Sequence, residues 1–460
     1  MSHTRRWEPT CPKLRRVQEV AQAKREERFT SLAHHLTVDA LRQSYKKLEA
    51  GAAAGVDGIT KKRYGETLEK NLSDLHQRLK EGKYRASPAR RVWIEKPGGG
   101  ERPLGIPTVE DKIVQGAVVE ILNCIYETDF LGFSYGSRPG RNAHQALQAL
   151  QTVLQKGRVN WVLDADISKF FDSIDHKELM RIIQNRVKDR GLLRLIGKWL
   201  SAGVVEEDGR RIREKKGTPQ GGVISPLLAN IFLHEVVDKH VHKWRETQAT
   251  GEVYIVRYMD DFVIACQEER DAQTLLVELE ERLRTHGLAL NREKTQLHRF
   301  GKNWRGGGPG GKSETFDFLG LTHIAGKDRR GNYLVIRKTA RKRFQRGLAM
   351  IGRWCKTNLH RPVAWQWAQL CRKLTGHYNY YGVRGNYEAL VRYRHQVWQG
   401  WHNTLKRRSQ KLNTSRTYTL LRDVFKLPTP RITHSEGWLC ANPGYLLGRA
   451  GCGNAARPVL

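Results

Sequence analysis

No paired cysteine motif, no long apolar run and no repeat period occur in this 460-residue chain. Its seven cysteines, Cys11, Cys124, Cys266, Cys355, Cys371, Cys440 and Cys452, include no CxxC pair. An odd number at scattered spacings argues against a disulfide framework and against a zinc module. His434, Cys440 and Cys452 fit no common zinc spacing. No stretch is apolar for long enough to cross a bilayer. The N-terminus opens on arginines and Trp7-Glu8-Pro9 and lacks the apolar core of a secretory signal. A cytoplasmic protein with no membrane partner is the expectation. Acid is scarce against base: 47 Asp and Glu face 81 Lys and Arg, a formal charge of +34. Such a surplus repels itself. A polyanion offsets it, and counterion release then drives binding. Basic runs recur along the whole chain with aromatics among them, and no single amphipathic basic helix dominates. The charge therefore points to nucleic acid and not to a membrane surface.

Enough apolar residue is present, 39%, for folded cores. The length implies two to four domains. Val17, Val20 and Ala21 mark one face of a first helix, and Leu36, Leu41, Tyr45 and Leu48 that of a second, ending at Gly51. Tyr64, Leu68, Leu72, Leu75 and Leu79 predict a helix over 60–82. Arg91 to Lys96 and Arg102 to Pro107 read as two strands around the turn Pro97-Gly98-Gly99-Gly100, a basic β-hairpin. Asp111 to Tyr126 reads as a buried helix. Val159 to Ile167 is a buried strand ending in acid. Ser225-Pro226 places an N-cap residue before a proline at the first helical position, and Leu228, Ile231, Phe232 and Val236 give that helix its apolar face. Val253 to Cys266 folds as a hairpin around Met259-Asp260-Asp261. Ala272 to Thr285 is an amphipathic helix, and Phe316 to Leu321 a short strand. Gly306 to Gly311 reads as a flexible loop. Beyond Lys327 the composition turns basic and aromatic.

Three acids stand out. Asp166 lies at the end of a buried strand, and Asp260 and Asp261 sit at a hairpin tip. Alone, Asp-Asp in a turn is ordinary turn chemistry, and Asp164 and Asp172 read equally well as surface or capping residues. Brought together, three carboxylates beside apolar strands repel one another, and a pair of hard divalent cations resolves the repulsion. Two such ions suit in-line phosphoryl transfer.

Seven motifs occur in order: Glu101 to Pro107; Tyr135-Gly136-Ser137-Arg138-Pro139-Gly140-Arg141; Asp164 to His176; Gly217 to Asn230; Tyr258 to Asp261; Asn291 to Thr295; and Phe318-Leu319-Gly320. From about residue 35 to 410 the chain resembles the reverse transcriptases encoded by group II introns, with their maturase domains. Gly376 to Gly382 resembles the thumb or maturase region of that family.

The resemblance implies an α+β right-hand polymerase, fingers and palm, followed by a mostly helical thumb. The implied divisions are a basic helical N-terminal extension (1–83), fingers and palm (84–325), a helical thumb or maturase domain (326–412) and a tail (413–460) that is a candidate nucleic-acid-binding segment. The implied reaction is RNA-templated addition of deoxynucleotides to a DNA or RNA primer.

Carried over residue by residue, Asp166 and Asp260 would bind two Mg²⁺ ions, for which Mn²⁺ would substitute. Asp261 would complete the cluster, and the Ile167 carbonyl would add a ligand. Phe171 would exclude a 2′-hydroxyl, whereas Phe170 reads as core. Gln220 and Gly221 would lie over the incoming dNTP, Lys96 and Arg102 would hold its triphosphate, and Lys294 would lie near the leaving group. Arg138, Arg141, Arg337, Lys338, Arg341, Lys342 and Arg343 would contact nucleic acid: template and primer, target DNA, and a structured RNA, by family analogy the group II intron RNA. Met259 departs from the alanine usual in the family. The tail shows no endonuclease module with paired cysteines, so strand cleavage is not expected. Two rival uses stand beside the intron maturase: an intron-free relative serving DNA repair or phage defence, and an RNA-binding splicing factor without polymerase activity.

Overall fold

A computed structural model describes residues 8–9, 11–95, 99–212, 216–217, 220–301, 314–408 and 418–434. Lys96 and the glycine-rich stretch 306–311 lie outside the described residues. The fold is mixed α+β, and the described residues form three hydrophobic cores.

Strands β1 (Ala89–Glu95) and β2 (Glu101–Ile106) form the expected hairpin. Further along come β3 (Trp161–Asp166) and two short strands, β4 (Val204–Val205) and β5 (Arg211–Ile212). Then follow β6 (Val253–Tyr258), β7 (Asp261–Cys266) and β8 (Gln296–Arg299). The last three are β9 (Thr315–Phe318), β10 (Leu321–Lys327) and β11 (Tyr333–Thr339). Among the described residues they make three sheets, in the orders β2-β1-β4-β5, β6-β7-β3-β8 and β11-β10-β9.

The second sheet is central and antiparallel throughout. Side chains alternate across a strand, and here both faces are covered. Leu163, Ala165, Phe262, Ile264 and Ile255 join the largest core, built with the helices Val109–Asp129 and Ser225–Leu233. Val162, Val256, Val263 and Ala265 join a second core with the helix Ala143–Lys156 and strands β9 to β11. Double coverage explains why these strands read as continuous apolar runs.

The N-terminal segment is not a separate appendage. Leu14, Val17, Ala21, Leu41, Leu72 and Leu75 are buried in the same core as the central helices. The single helix expected over 60–82 is broken into Lys61–Gly65 and Leu68–Lys80, the second preceded by Thr67 in a non-helical conformation. Ser225 is the first helical residue and Ile224 the cap, one position earlier than expected.

Two further expectations need correcting. The helical region does not begin at 326, because β11 still pairs with β10 through Leu321↔Thr339. Helices begin at Arg341, with Arg341–Thr357, Val363–Tyr381 and Tyr387–Lys406. These three share a core around Leu370, Leu374, Leu390, Tyr393 and Trp401. Residues 418–434 belong with them and not to an independent tail. Trp367 Nε1 donates to the Lys426 carbonyl at 2.9 Å, Tyr378 Oη to Pro428 at 3.1 Å and Arg394 Nη2 to Leu427 at 3.0 Å. Leu421 and Leu427 are buried in the bundle. Among the described residues no helix is long and apolar enough to cross a membrane.

Candidate active site

The site grows from the register of two strand pairs. Asp261 is opposite Asp166 across β7 and β3, and opposite Tyr258 across the β6–β7 turn. Asp164, Asp166 and Asp261 share strand parity with Val162 and Val263, so all three face the same side of the sheet. Asp260 occupies the turn. Met259 beside it has φ 61°, and Lys169, just after Asp166, has φ 45°. Left-handed backbone is costly for residues with a Cβ, about 1–2 kcal/mol each. Such conformations persist where surrounding structure enforces them, often at functional sites.

The electrostatics show crowding. Burial first, and then the charges of Asp164, Asp260 and Asp166, push the Asp261 carboxyl up to about 8. Burial and Asp166 push Asp164 up to about 7, with Asp317 adding to the effect and Lys294 opposing it. Asp260 is also raised, chiefly by burial and also by Asp166, while Arg102 and Lys294 oppose the rise. Lys294 Nζ lies 2.9 Å from Asp166 Oδ2. Asn291 Nδ2 donates to that oxygen at 3.3 Å, and Asn291 N to the Asp166 carbonyl at 2.8 Å. Ile167 is buried and bridges to Leu290.

Among the described residues, no three acidic, imidazole or thiol side chains already converge as a finished metal cage. The donor set nonetheless suits a hard divalent cation: oxygen ligands only, with more negative charge than the site stabilises unaided.

Around the acids lie the other expected residues. Phe170 is core, 2% exposed and near Phe232. Phe171 is half-buried, with its ring centroid 5.4 Å from that of Phe170. Gln220 Nε2 reaches Asp172 Oδ1 at 3.4 Å, and the Gln220 carbonyl accepts from Gly105 N at 2.7 Å. Gly221 has φ 119°, and a Cβ there would lie 2.7 Å from the Gly105 carbonyl oxygen. The loop is thus docked on β2, the strand that carries exposed Arg102.

The basic residues divide. Arg341, Lys342 and Arg343 are exposed on the first turn of their helix, and Lys338 is half-buried. Arg138 is a correction: its side chain is 3% exposed, paired with Glu127 at 2.9 Å and donating to the Leu131 and Ser134 carbonyls at 2.8 Å each. That arginine organises a loop and has no surface to offer a polyanion. Arg337 is likewise buried, at 4% exposure. Arg141 donates to the Gly132 and Ser134 carbonyls and lies over the Tyr135 ring.

From sequence, Asp164 reads as a surface or capping residue, yet its spacing of two from Asp166 on a strand puts both on one face. Arg257 carries a signal of its own, as the lone charge inside the apolar run of β6.

The family described as "Reverse transcriptase (RNA-dependent DNA polymerase)" matches residues 94–323. The protein YkfC of Escherichia coli is 31% identical over 362 residues, 72% of this chain and 89% of YkfC. The group II intron-encoded protein LtrA of Lactococcus lactis is 39% identical over 235 residues, 51% of this chain. The match spans only 39% of LtrA's own length. The putative COX1/OXI3 intron 2 protein of Saccharomyces cerevisiae is 35% identical over 177 residues, covering 38% of this chain and 20% of that protein.

Proposed function

The chain belongs to the reverse transcriptase family of RNA-dependent DNA polymerases, and from that premise we propose that Asp166, Asp260 and Asp261 are its catalytic centre. In this reading the central sheet with its helices is the palm, the β1–β2 hairpin is part of the fingers, and the three-helix bundle with residues 418–434 is the thumb. The observation that carries the reading is the register of Asp166 against Asp261, with Asp260 at the adjoining turn and the carboxyls of Asp260 and Asp261 raised by burial first and by neighbouring acids second.

Asp166, the Ile167 carbonyl, Asp260 and Asp261 would hold two Mg²⁺ ions, which when bound supply a lowered pKa at the primer 3′-hydroxyl and charge stabilisation at the pyrophosphate. The protein's own residues position the reactants. Phe171 stands at the edge of the site as the barrier to a 2′-hydroxyl. Gln220 and Gly221, fixed against β2, form a surface for the incoming dNTP. Arg102, together with Lys96, binds the triphosphate through charge-assisted hydrogen bonds. Lys294, 2.9 Å from Asp166, would meet the departing phosphates.

Exposed Arg341, Lys342 and Arg343, helped by Lys338, make a phosphate-binding edge on the thumb for template–primer and structured RNA. Similarity to LtrA favours group II intron RNA as that structured RNA, with assistance to its splicing as the second activity. DNA flanking the gene decides between this and an intron-free use: catalytic intron sequence around the reading frame supports the first.

The test is primer extension on an RNA template with Mg²⁺ and four dNTPs, run beside Asp260→Ala. Extension by the wild type and none by the variant, with RNA binding retained, is the expected result. Extension that survives Asp260→Ala removes the assignment. RNA binding without extension by either protein leaves the splicing-factor reading in its place.

A further inference from the structure

Arg257 sits on β6 with no exposed surface, on the face opposite the acids. A buried charge is costly unless it is paired and fully hydrogen-bonded. Its Nε and Nη2 both reach the Asp238 carboxylate at 2.6 Å. The remaining nitrogen, Nη1, donates to Asn230 Oδ1 at 3.0 Å and to the Met259 carbonyl at 2.9 Å. Asn230, also fully buried, passes its Nδ2 to the Gly136 carbonyl at 2.8 Å. Gly136 lies flat on the turn: a Cβ there would sit 2.5 Å from Met259 N and 2.7 Å from Met259 Cγ. Backbone bonds close the frame, Arg257 N to the Phe133 carbonyl and Tyr135 N to the Arg257 carbonyl, both 2.9 Å.

We propose that Arg257, oriented by Asp238 and Asn230, is a positioning residue that holds the Met259 carbonyl and so aims the carboxylates of Asp260 and Asp261. The proposal rests on the reading of those acids as the catalytic centre. It gives the Tyr135-Gly136-Ser137 motif and Asn230 a shared task, which is to brace the turn from behind.

Three features favour a brace over simple stability. A buried ion pair is a poor stabiliser compared with packed apolar side chains. A guanidinium's planar fork grips the Asp238 carboxylate with two nitrogens while the third reaches Asn230 and Met259, a spread that the single nitrogen of an ammonium does not span. And Asp238 is delivered by a π-helical turn, His234–Asp238, inserted between the helices Ser225–Leu233 and Lys239–Thr247. Such turns are rare and recur at functional sites. The turn they support carries left-handed Met259, a conformation that surrounding contacts must enforce.

The experiment uses the full chain with Arg257→Lys, which keeps a charge for Asp238 but loses the reach to Met259 and Asn230. Melting temperature, template–primer affinity, dNTP KM, kcat and the Mg²⁺ dependence of extension are measured. Binding of Mn²⁺ alone is followed by electron paramagnetic resonance. The expected result is template–primer affinity and KM within about twofold of wild type, with kcat lowered about 100-fold, the scale of a misplacement near 1 Å. Mn²⁺ binding weakens in parallel, and half-saturating Mg²⁺ rises.

Should Arg257→Lys fail to fold, Gly136→Ala displaces the same turn through its added Cβ without touching a charge, and the same signature is expected. A folded variant whose kcat and metal dependence stay at wild-type values, with or without a lower melting temperature, overturns the brace. Asp260→Ala runs alongside. Extension surviving in it refutes the catalytic centre, whereas an inactive Asp260→Ala beside a normal Arg257→Lys refutes only the brace.

Discussion

Asp261 and Asp164 share one face of a sheet with Asp166, and neither has its own basic partner within hydrogen-bond reach among the described residues; the one such cation, Lys294, is committed to Asp166. Their carboxyls are held near 8 and 7, against an ordinary value of 3.8. A carboxyl whose native pKa exceeds its unfolded one makes the native chain bind more protons than the unfolded chain. Metal-free stability therefore falls as pH rises from about 4 to about 8. Divalent cations compete with those protons, so binding tightens over the same window. The melting temperature should rise on adding Mg²⁺, and by more at about pH 8 than at about pH 6. Equal gains at both would mean that the acids are ionised before metal arrives. At Phe171 the expected outcome is loss of sugar discrimination: Phe171→Ala incorporates ribonucleotides at a rate approaching that of deoxynucleotides, read by single-nucleotide extension. An unchanged sugar preference removes Phe171 as the barrier.

Elements carry the next layer. The loop holding Gln220 is fixed to β2 by a 2.7 Å backbone bond, and at Gly221 a methyl group would strike the Gly105 carbonyl. Gly221→Ala is expected to raise the dNTP KM several-fold while leaving RNA affinity unchanged; loss of both in parallel would mean that the fold, not the loop, was damaged. In the helical bundle, Trp401 is fully buried, and its Nε1 donates to Gln366 Oε1 at 2.9 Å. Gln366 in turn donates to the Asn358 and Arg361 carbonyls at 3.1 and 2.9 Å, closing the end of the preceding helix. Trp401→Ala should cost about 3–5 kcal/mol. Because this bundle has its own core, hydrogen exchange should accelerate in 341–408 before it does in β3 and β7. Simultaneous loss of protection would show that the two cores unfold as one unit.

Across the whole molecule the charge of +34 is the dominant quantity. Affinity for RNA should fall steeply with salt, log K against log[salt] having a slope near −0.7 per phosphate contacted on a single strand. Replacing Arg341, Lys342 and Arg343 together should flatten that slope by about 2, measured by filter binding at several salt concentrations. An unaltered slope would move the contact surface elsewhere. Arg138 is expected to behave differently: with its guanidinium buried against Glu127, Arg138→Ala should lower stability and leave the salt slope as it was.

The sequence by itself determined the order of elements around the acids, because strand and hairpin signals are local: apolar runs, the Gly-rich turn at 97–100, and two aspartates in a tight turn. It also carried the family resemblance and the overall charge, both of which are sums over residue identity. Tertiary structure alone decided that Asp261 joins the face of Asp164 and Asp166, for that depends on register between strands nearly a hundred residues apart. It decided which arginines are free, since pattern does not distinguish an exposed Arg341 from an Arg138 enclosed by carbonyls. And it brought Arg257 to its partners Asp238, Asn230 and Met259, which lie on a π turn, a helix and a hairpin turn. Local propensity is additive along the chain, whereas desolvation and hydrogen-bond geometry arise only once distant segments meet.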